Sequence, residues 1–404
     1  MKIQRCKGTR DLSREEMATF RLIEGKFREC CLKWGYQEVR TPTLEYLHLF
    51  TSTGTLTPSR LSKVYSFLDW DGWSGERVVL RPDGTIPVAR LYIDRMEGEK
   101  LAKLFYIANI FIFEATGKEN RERWQFGAEL IGVSSPLADA ELIMLALEVL
   151  KQLRISGVEL KLSQAGLIRA LLAKLELSPE EQTRIFDRIL DGDLEALAKV
   201  KRERPELERV LSLFDLKGKA SALKFTSDLP ELKGGLDDFL NIASLLETLG
   251  CDYQIDLASG RGFEYYTGII FQFFQNGERL GGGGRYDGLI PLMGGKATPA
   301  SGFALYFDQL MNRLKPAPKP SGQKILIRAE AEAVKDGFST AQRLRETGYI
   351  AELALGAQKE GFDWTLEIKG KPPLFILTDQ AKHQKFEAKT ADEVLRILTK
   401  NKDE

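Results

Sequence analysis

The chain has 404 residues, 43% of them hydrophobic, enough for two or three domains that each bury a core. Fifty-eight lysines and arginines balance fifty-eight aspartates and glutamates, so no bulk field gathers a polyanion such as RNA. Cys6, Cys30, Cys31 and Cys251 show no C-x-x-C spacing, and only His48 and His383 could join them, which argues against a zinc site and for no metal or cofactor. No apolar run approaches the roughly 18 residues of a membrane span, and the start lacks an apolar signal core, so a cytoplasmic protein with reduced thiols is expected.

Ser13 and Glu16 have capping-box spacing, and Phe20, Ile23, Phe27, Cys31 and Trp34 recur at helical intervals up to Gly35. Tyr36–Thr41 reads as a short strand ended by Pro42, with a second hydrophobic segment at Leu44–Phe50. Strand-like runs follow at Val64–Trp70, Arg77–Leu80, Phe105–Glu114 and Gln125–Val133, before a helical pattern over Ala138–Leu153. These mixed elements imply an α+β domain around an antiparallel sheet. From about 167 to 249 the pattern is helical and heavily charged, as at Leu177–Glu195 and Leu207–Leu216, which predicts an inserted helical subdomain.

Strands resume at Tyr253–Leu257 and Tyr266–Phe274, Gly281–Gly284 reads as an interruption, and Gly302–Leu314 reads as a helix. The core is expected over 1–314, and the proline-rich Lys315–Gly322 has the composition of a stiff linker. Residues 323–404 alternate strands at Ile325–Ile327, Ile350–Leu355 and Leu374–Leu377 with helices at Val334–Thr347, Ala357–Trp364 and Ala391–Leu398, a small α/β domain. Its 14 basic and 14 acidic residues make it a poor candidate for RNA binding.

The chemistry concentrates in Ser259-Gly-Arg-Gly-Phe-Glu-Tyr-Tyr-Thr-Gly268, where an arginine, a carboxylate and two tyrosines crowd one turn. Such a cluster suits a small polar ligand, since phenolic hydroxyls fix ring or amine nitrogens and glycines admit close approach. Four consecutive glycines at 281–284 fit either a ligand against the backbone or an ordinary hairpin loop. Leu80-Arg-Pro-Asp-Gly-Thr85 and Trp124-Gln-Phe-Gly-Ala-Glu129 add Asp83, Thr85, Gln125 and Glu129 beside apolar strands.

Together these stretches are similar to the histidyl-tRNA synthetase family of class II aminoacyl-tRNA synthetases. Lys7-Gly-Thr-Arg-Asp-Leu12 resembles its N-terminal signature, and Gly35-Tyr-Gln-Glu-Val-Arg-Thr-Pro42 with Glu45 resembles motif 1, the dimerisation motif. Leu80–Thr85, Phe111–Gly132, Arg261–Gly268, Gly282–Leu289 and Ala300–Leu310 follow in the family's order, so the resemblance covers nearly the whole chain. It implies a class II core, a C-terminal module like the anticodon-binding domain, and a histidine pocket. Asp83 and Thr85 would take the α-amino group with Gln125 and Glu129 nearby, and Arg261, Tyr265 and Tyr266 would surround the imidazole and carboxylate.

Three departures bear on activity. Asp83 stands where the synthetases usually carry glutamate. Ile112 in Phe111-Ile-Phe-Glu114 replaces the motif 2 arginine of the ATP α-phosphate, and Gln309 replaces the motif 3 arginine. Adenylation builds negative charge on phosphorus, and losing one preorganised donor costs roughly 10² to 10³ in rate, so the pattern implies lost adenylation unless Lys118, Arg121 or Arg123 substitute.

The family includes a non-activating member, the regulatory subunit of ATP phosphoribosyltransferase, and the Arg-Pro-Asp and Gly-Ala-Glu-Leu-Ile-Gly variants look more like that branch. The resemblance thus implies a chain with no catalytic residue, partnered by the short catalytic subunit in a hetero-oligomer. Histidine would be its ligand and feedback inhibitor in the first step of histidine biosynthesis, with a homodimer through motif 1. A working histidyl-tRNA synthetase and an amino-acid- or tRNA-sensing module are the alternatives.

Overall fold

The structure is a computed structural model that describes residues 3–53, 61–70, 75–114, 116, 120–173, 178, 181, 202, 217–219, 233–257, 265–314, 322–356, 361–370 and 372–401. The chain divides into two compact units, Met1–Ala317 and Pro318–Glu404. Most of the expected helical insertion over 167–249, including Leu207–Leu216 and all of Leu177–Glu195 but Ser178 and Glu181, lies outside the described residues, as do Arg261, Lys118 and all of the expected linker except Gly322.

In the first unit the described strands are β1 (Gln37–Glu38), β2 (Leu44–Tyr46), β3 (Ser66–Trp70), β4 (Gly75–Leu80), β5 (Ala102–Phe111), β6 (Glu122–Ile131), β7 (Glu159–Gln164), β8 (Lys217–Gly218), β9 (Gln254–Asp256), β10 (Ile269–Gln275), β11 (Glu278–Arg285) and β12 (Ala300–Tyr306). Nine of them form one sheet in the order β1-β5-β6-β12-β11-β10-β7-β9-β8. Pairing is antiparallel throughout its centre, and β1–β5 and β7–β9 are parallel. The fold is α+β.

Strand periodicity sends alternate residues to opposite faces, and the two faces of this sheet differ. Phe105, Phe126 and Phe303 lie behind, under helix α1 (Arg14–Lys33). That helix forms because the Ser13–Glu16 capping box satisfies two orphan donors at its start, while Phe20, Ile23, Phe27, Cys30 and Cys31 make one buried stripe. Phe27 meets Phe105, Phe126 and Phe303 edge-on at 6.0, 5.5 and 6.4 Å, and Phe20 meets Phe307 at 4.7 Å. The front face is built differently. In register it reads Leu104–Glu129–Gly302–Gly284, then Tyr106–Gly127–Ala304–Gly282, then Ala108–Gln125–Tyr306.

Several sequence expectations change here. Gly302–Leu314 is not a helix: Ala300–Tyr306 is the central strand β12 and only Phe307–Met311 is helical, because pairing with both β6 and β11 outweighs local propensity. The glycine run does not interrupt the sheet but lies within β11. The Tyr36–Thr41 strand shrinks to Gln37–Glu38, and Leu44–Phe50 splits into β2 and a helix at Leu47–Thr51. The helix at Thr85–Met96 and strand β7 went unread in sequence.

A separate three-stranded sheet, β2-β4-β3, stands beside the large one. Glu45 of β2 is buried and grips Arg90 of the Thr85–Met96 helix in a bidentate pair at 2.8 and 3.0 Å. The second unit carries β13 (Lys324–Ala329), β14 (Ile350–Leu353), β15 (Trp364–Lys369), β16 (Leu374–Asp379) and β17 (Lys385–Ala388) in the order β14-β13-β15-β16-β17. Its helices Val334–Glu346 and Ala391–Lys400 pack on a core that includes Ile325, Ile327, Leu344, Leu366 and Leu398. Trp364 begins a strand, not the end of a helix, and residues 357–360 of that expected helix are outside the described residues.

Candidate functional site

The site rests on the front face of the large sheet. Arg81 fixes the turn that leads into it: its buried guanidinium donates to the Thr41 and Pro42 carbonyls at 2.8 and 3.0 Å, to the Asn109 carbonyl at 2.7 Å and to Asn109 Oδ1 at 2.8 Å. The next residues open a helix. Asp83 Oδ2 accepts from the Ile86 amide at 3.1 Å, satisfying a first-turn donor, and Gln125 Oε1 accepts from the Gly84 amide at 3.1 Å, fastening the turn to the sheet. Asp83, Thr85 and Gln125 are therefore all buried, at 5%, 7% and 3% exposure.

Glu129 is the centre of the arrangement. It is wholly buried on β6, accepts a hydrogen bond from the Tyr286 hydroxyl through Oε2, and has its Oε1 buried with no hydrogen bond among the described residues. Burial pushes its pKa up to about 8, opposed by the nearby hydroxyls of Tyr286, Thr85 and Tyr106 and reinforced by the Asp83 carboxyl. Two buried acids side by side, one with an orphaned oxygen, suit a ligand that brings positive charge or N–H donors.

Tyrosines wall the same space. Tyr265 meets Tyr266 at 5.3 Å and Tyr286 at 5.5 Å, both edge-on. Burial raises the pKa of Tyr106, Tyr265 and Tyr286 well above the usual phenol value, so all three remain neutral donors.

The glycines explain how these side chains fit. A Cβ on Gly302 would stand 1.7 Å from Glu129 Oε2, and one on Gly84 or Gly127 would strike the Tyr106 ring at 2.2 or 2.3 Å. Within the run, a Cβ on Gly284 would sit 2.9 Å from Tyr266, and one on Gly282 would sit 2.8 Å from Arg279 Nη2. The backbone is approached closely, but by the chain's own side chains and neighbouring strands. Of the residues expected in a histidine pocket, Asp83, Thr85, Gln125, Glu129, Tyr265 and Tyr266 thus gather here, and Arg261 lies outside the described residues.

Ile112 and Gln309, the positions expected to lack nucleotide-binding arginines, stand at the opposite end of the strands from Glu129. Ile112 follows β5, its amide donating to the Arg121 carbonyl at 2.8 Å, and Gln309 sits in the Phe307–Met311 helix that follows β12. Neither candidate replacement arginine is idle. Arg121 donates to the Glu114 carbonyl at 2.7 Å and lies 4.9 Å over the Phe113 ring, while Arg123 donates to the Asn120 carbonyl at 2.9 Å. Arg10 of the N-terminal signature pairs with Asp308 and lies 5.9 Å over Phe307, which docks that segment against the same helix.

Tyr106, Tyr286, Arg279 and Tyr306 were not singled out in the sequence. Tyr106 hides in a continuous apolar strand, and only its pairing with Gly127 shows that it faces the site. Tyr286 offered more, since it belongs to the quoted Gly282–Leu289 stretch.

Comparison with known proteins identifies the family. The histidyl-tRNA synthetase family model matches residues 8–310. A curated ATP phosphoribosyltransferase regulatory subunit of Dehalococcoides mccartyi is 50% identical, aligned over 99% of this chain and 100% of its own length. A histidine–tRNA ligase of Archaeoglobus fulgidus is 34% identical over 87% of this chain and 85% of its own. Among solved structures, an ATP phosphoribosyltransferase regulatory subunit/histidyl-tRNA synthetase from Bacillus halodurans superposes with a TM-score of 0.76 at 24% identity, covering 89% of this chain and 95% of its own. The apo histidyl-tRNA synthetase of S. aureus gives 0.68 at 20%, covering 98% and 99%. With the family model spanning most of the chain and full-length relatives at this identity, the chain belongs to the histidyl-tRNA synthetase family.

Proposed function

We propose that this chain is a non-catalytic regulatory subunit of ATP phosphoribosyltransferase, acting with the short catalytic subunit in the first step of histidine biosynthesis and conveying feedback control by histidine. The observation that carries the reading is an asymmetry along one sheet face. One end keeps buried acids and tyrosines, with Asp83 for the usual glutamate, whereas the end that corresponds to the phosphates has uncharged Ile112 and Gln309. Adenylation needs preorganised positive charge there, and Arg121 and Arg123 are bonded elsewhere. The half-identical, full-length Dehalococcoides relative carries the regulatory-subunit name.

On this reading histidine binds with its α-amino group toward Asp83 and Thr85 and its imidazole toward Glu129, Tyr265 and Tyr266. Inhibition follows because histidine binds one state of the complex better than another. The chain works in the cytoplasm as a homodimer within the hetero-oligomer. The dimer is supported by the apolar exposure of the small sheet, where Leu44, Tyr46, Phe67, Leu68 and Trp70 are 45–67% exposed. The domains follow as a core over 1–314 with its insertion near 167–249, a linker, and an anticodon-binding-like unit over 323–404.

Two assays on the purified chain test the reading. Histidine-dependent ATP–pyrophosphate exchange is expected to be absent while a working synthetase run alongside is active, and the chain is expected to activate a short-form phosphoribosyltransferase. Robust exchange would overturn the proposal in favour of an active synthetase.

A further inference from the structure

We propose that Arg279, stacked on Tyr306, is the anion-accepting end of this pocket and holds the α-carboxylate of the bound amino acid. The inference rests on the histidine-pocket reading above, in which the resemblance places Arg261 near the imidazole and carboxylate, and adds Arg279 as the cation that distinguishes an amino acid from the corresponding amine or alcohol.

The argument begins with a β-bulge. Along β11, Gly281 and Gly283 alternate with Gly282 and Gly284, and simple alternation would put Arg279 on the same side as Gly281, behind the sheet. The pairing with β10 slips, however: Phe273 faces Gly281 while Phe274 faces Arg279, leaving Leu280 as the extra residue. Leu280 is wholly buried. The slip turns Arg279 to the front, where its guanidinium lies over Gly282 and 5.5 Å from the Tyr306 ring centroid. Bulges beside sites commonly re-aim a side chain in this way.

Position along the strands then assigns the role. Glu129 and Gly284 share one cross-strand rung, Gly127 and Gly282 the next, and Gln125 and Tyr306 the third, with rungs spaced about 7 Å apart. Arg279 over Gly282 is thus one rung from the acidic end. It also lowers the Tyr266 phenol against the upward push of burial, which puts its charge beside a wall of the pocket. Beyond it, in the direction of Ile112 and Gln309, the Tyr306 ring closes the row. A zwitterion fits this order, cationic end to the acids and carboxylate to the Arg279 guanidinium, whose Nε also donates to the Gly281 carbonyl at 3.4 Å and whose charge stays with the group. The Tyr306–Arg279 pair thus lies along the strands between the acidic end and the end that carries Ile112 and Gln309.

The test is calorimetric titration of the full chain with L-histidine and with L-histidinol, which keeps the imidazole and the amine but lacks the carboxylate. The wild type is expected to prefer histidine by roughly 10- to 100-fold, the worth of a charged hydrogen-bonded contact. Arg279→Gln should weaken histidine by about that factor, leave histidinol nearly unchanged and bring the two within about threefold; Arg279→Lys should recover part of the preference. Thermal melts confirm that each variant is folded. Equal binding of the two ligands by the wild type, or an undiminished preference in folded Arg279→Gln, overturns the role of Arg279 while leaving the pocket reading standing. Binding of neither ligand by the wild type overturns the pocket reading and this proposal with it.

Discussion

Glu129 is a carboxyl placed where ionisation is costly, on the central strand β6 with Asp83 beside it and one oxygen orphaned. Its pKa of about 8 when folded, against an ordinary 4.5, means that the native chain binds this proton more tightly than the unfolded one. The contribution of Glu129 to stability is therefore greatest below 4.5 and falls as pH rises through 4.5 to about 8, by an amount on the order of a few kcal/mol. Glu129→Gln keeps the shape and cannot ionise. Melting curves between pH 5 and 8.5 should show the wild type losing stability relative to Glu129→Gln, and parallel curves would refute the assignment. Added histidine should offset the wild-type loss at high pH, because a cation beside the carboxylate compensates its burial.

At the scale of elements, register decides which atoms meet. Gly302 pairs with Glu129 across β12 and β6 and leaves room for the carboxyl to lie flat on the sheet. A methyl there would overlap Oε2 at 1.7 Å, so Gly302→Ala must evict Glu129 or part the strands. The expected destabilisation is about 1–3 kcal/mol, the usual cost of overpacking, read from urea unfolding. Histidine affinity should fall with it, and a variant of unchanged stability and affinity would show that the two strands are not held as described. The capping box of α1 and its aromatic stripe were legible in the sequence because both are local patterns with fixed spacing. The central strand β12 was misread as a helix because Ala300–Tyr306 lies between two partner strands and is buried on both faces, so it shows no alternation.

For the whole molecule, the small sheet is the surface most in need of a partner. Its strand β3 is exposed along its full length, with Phe67 on one face and Leu68 and Trp70 on the other, and among the described residues its outer edge pairs with no strand, an arrangement that invites pairing. On the proposed homodimer, replacing Leu68 and Trp70 with glutamate is expected to give monomers by light scattering while the melting profile of the isolated subunit persists. Unchanged mass would place the dimer contact elsewhere.

The sequence by itself determined the family and the order of its motifs, and its resemblance pointed to the acids and tyrosines that gather on the sheet and to Ile112 and Gln309, because each is a matter of residue identity at fixed spacing. Only the tertiary structure decided which glycines cover which side chains, that Tyr106 faces the site, and that a bulge carries Arg279 to the front. Those facts depend on pairing between strands distant in sequence, and a one-residue slip sends a side chain to the opposite face without changing the sequence pattern that precedes it.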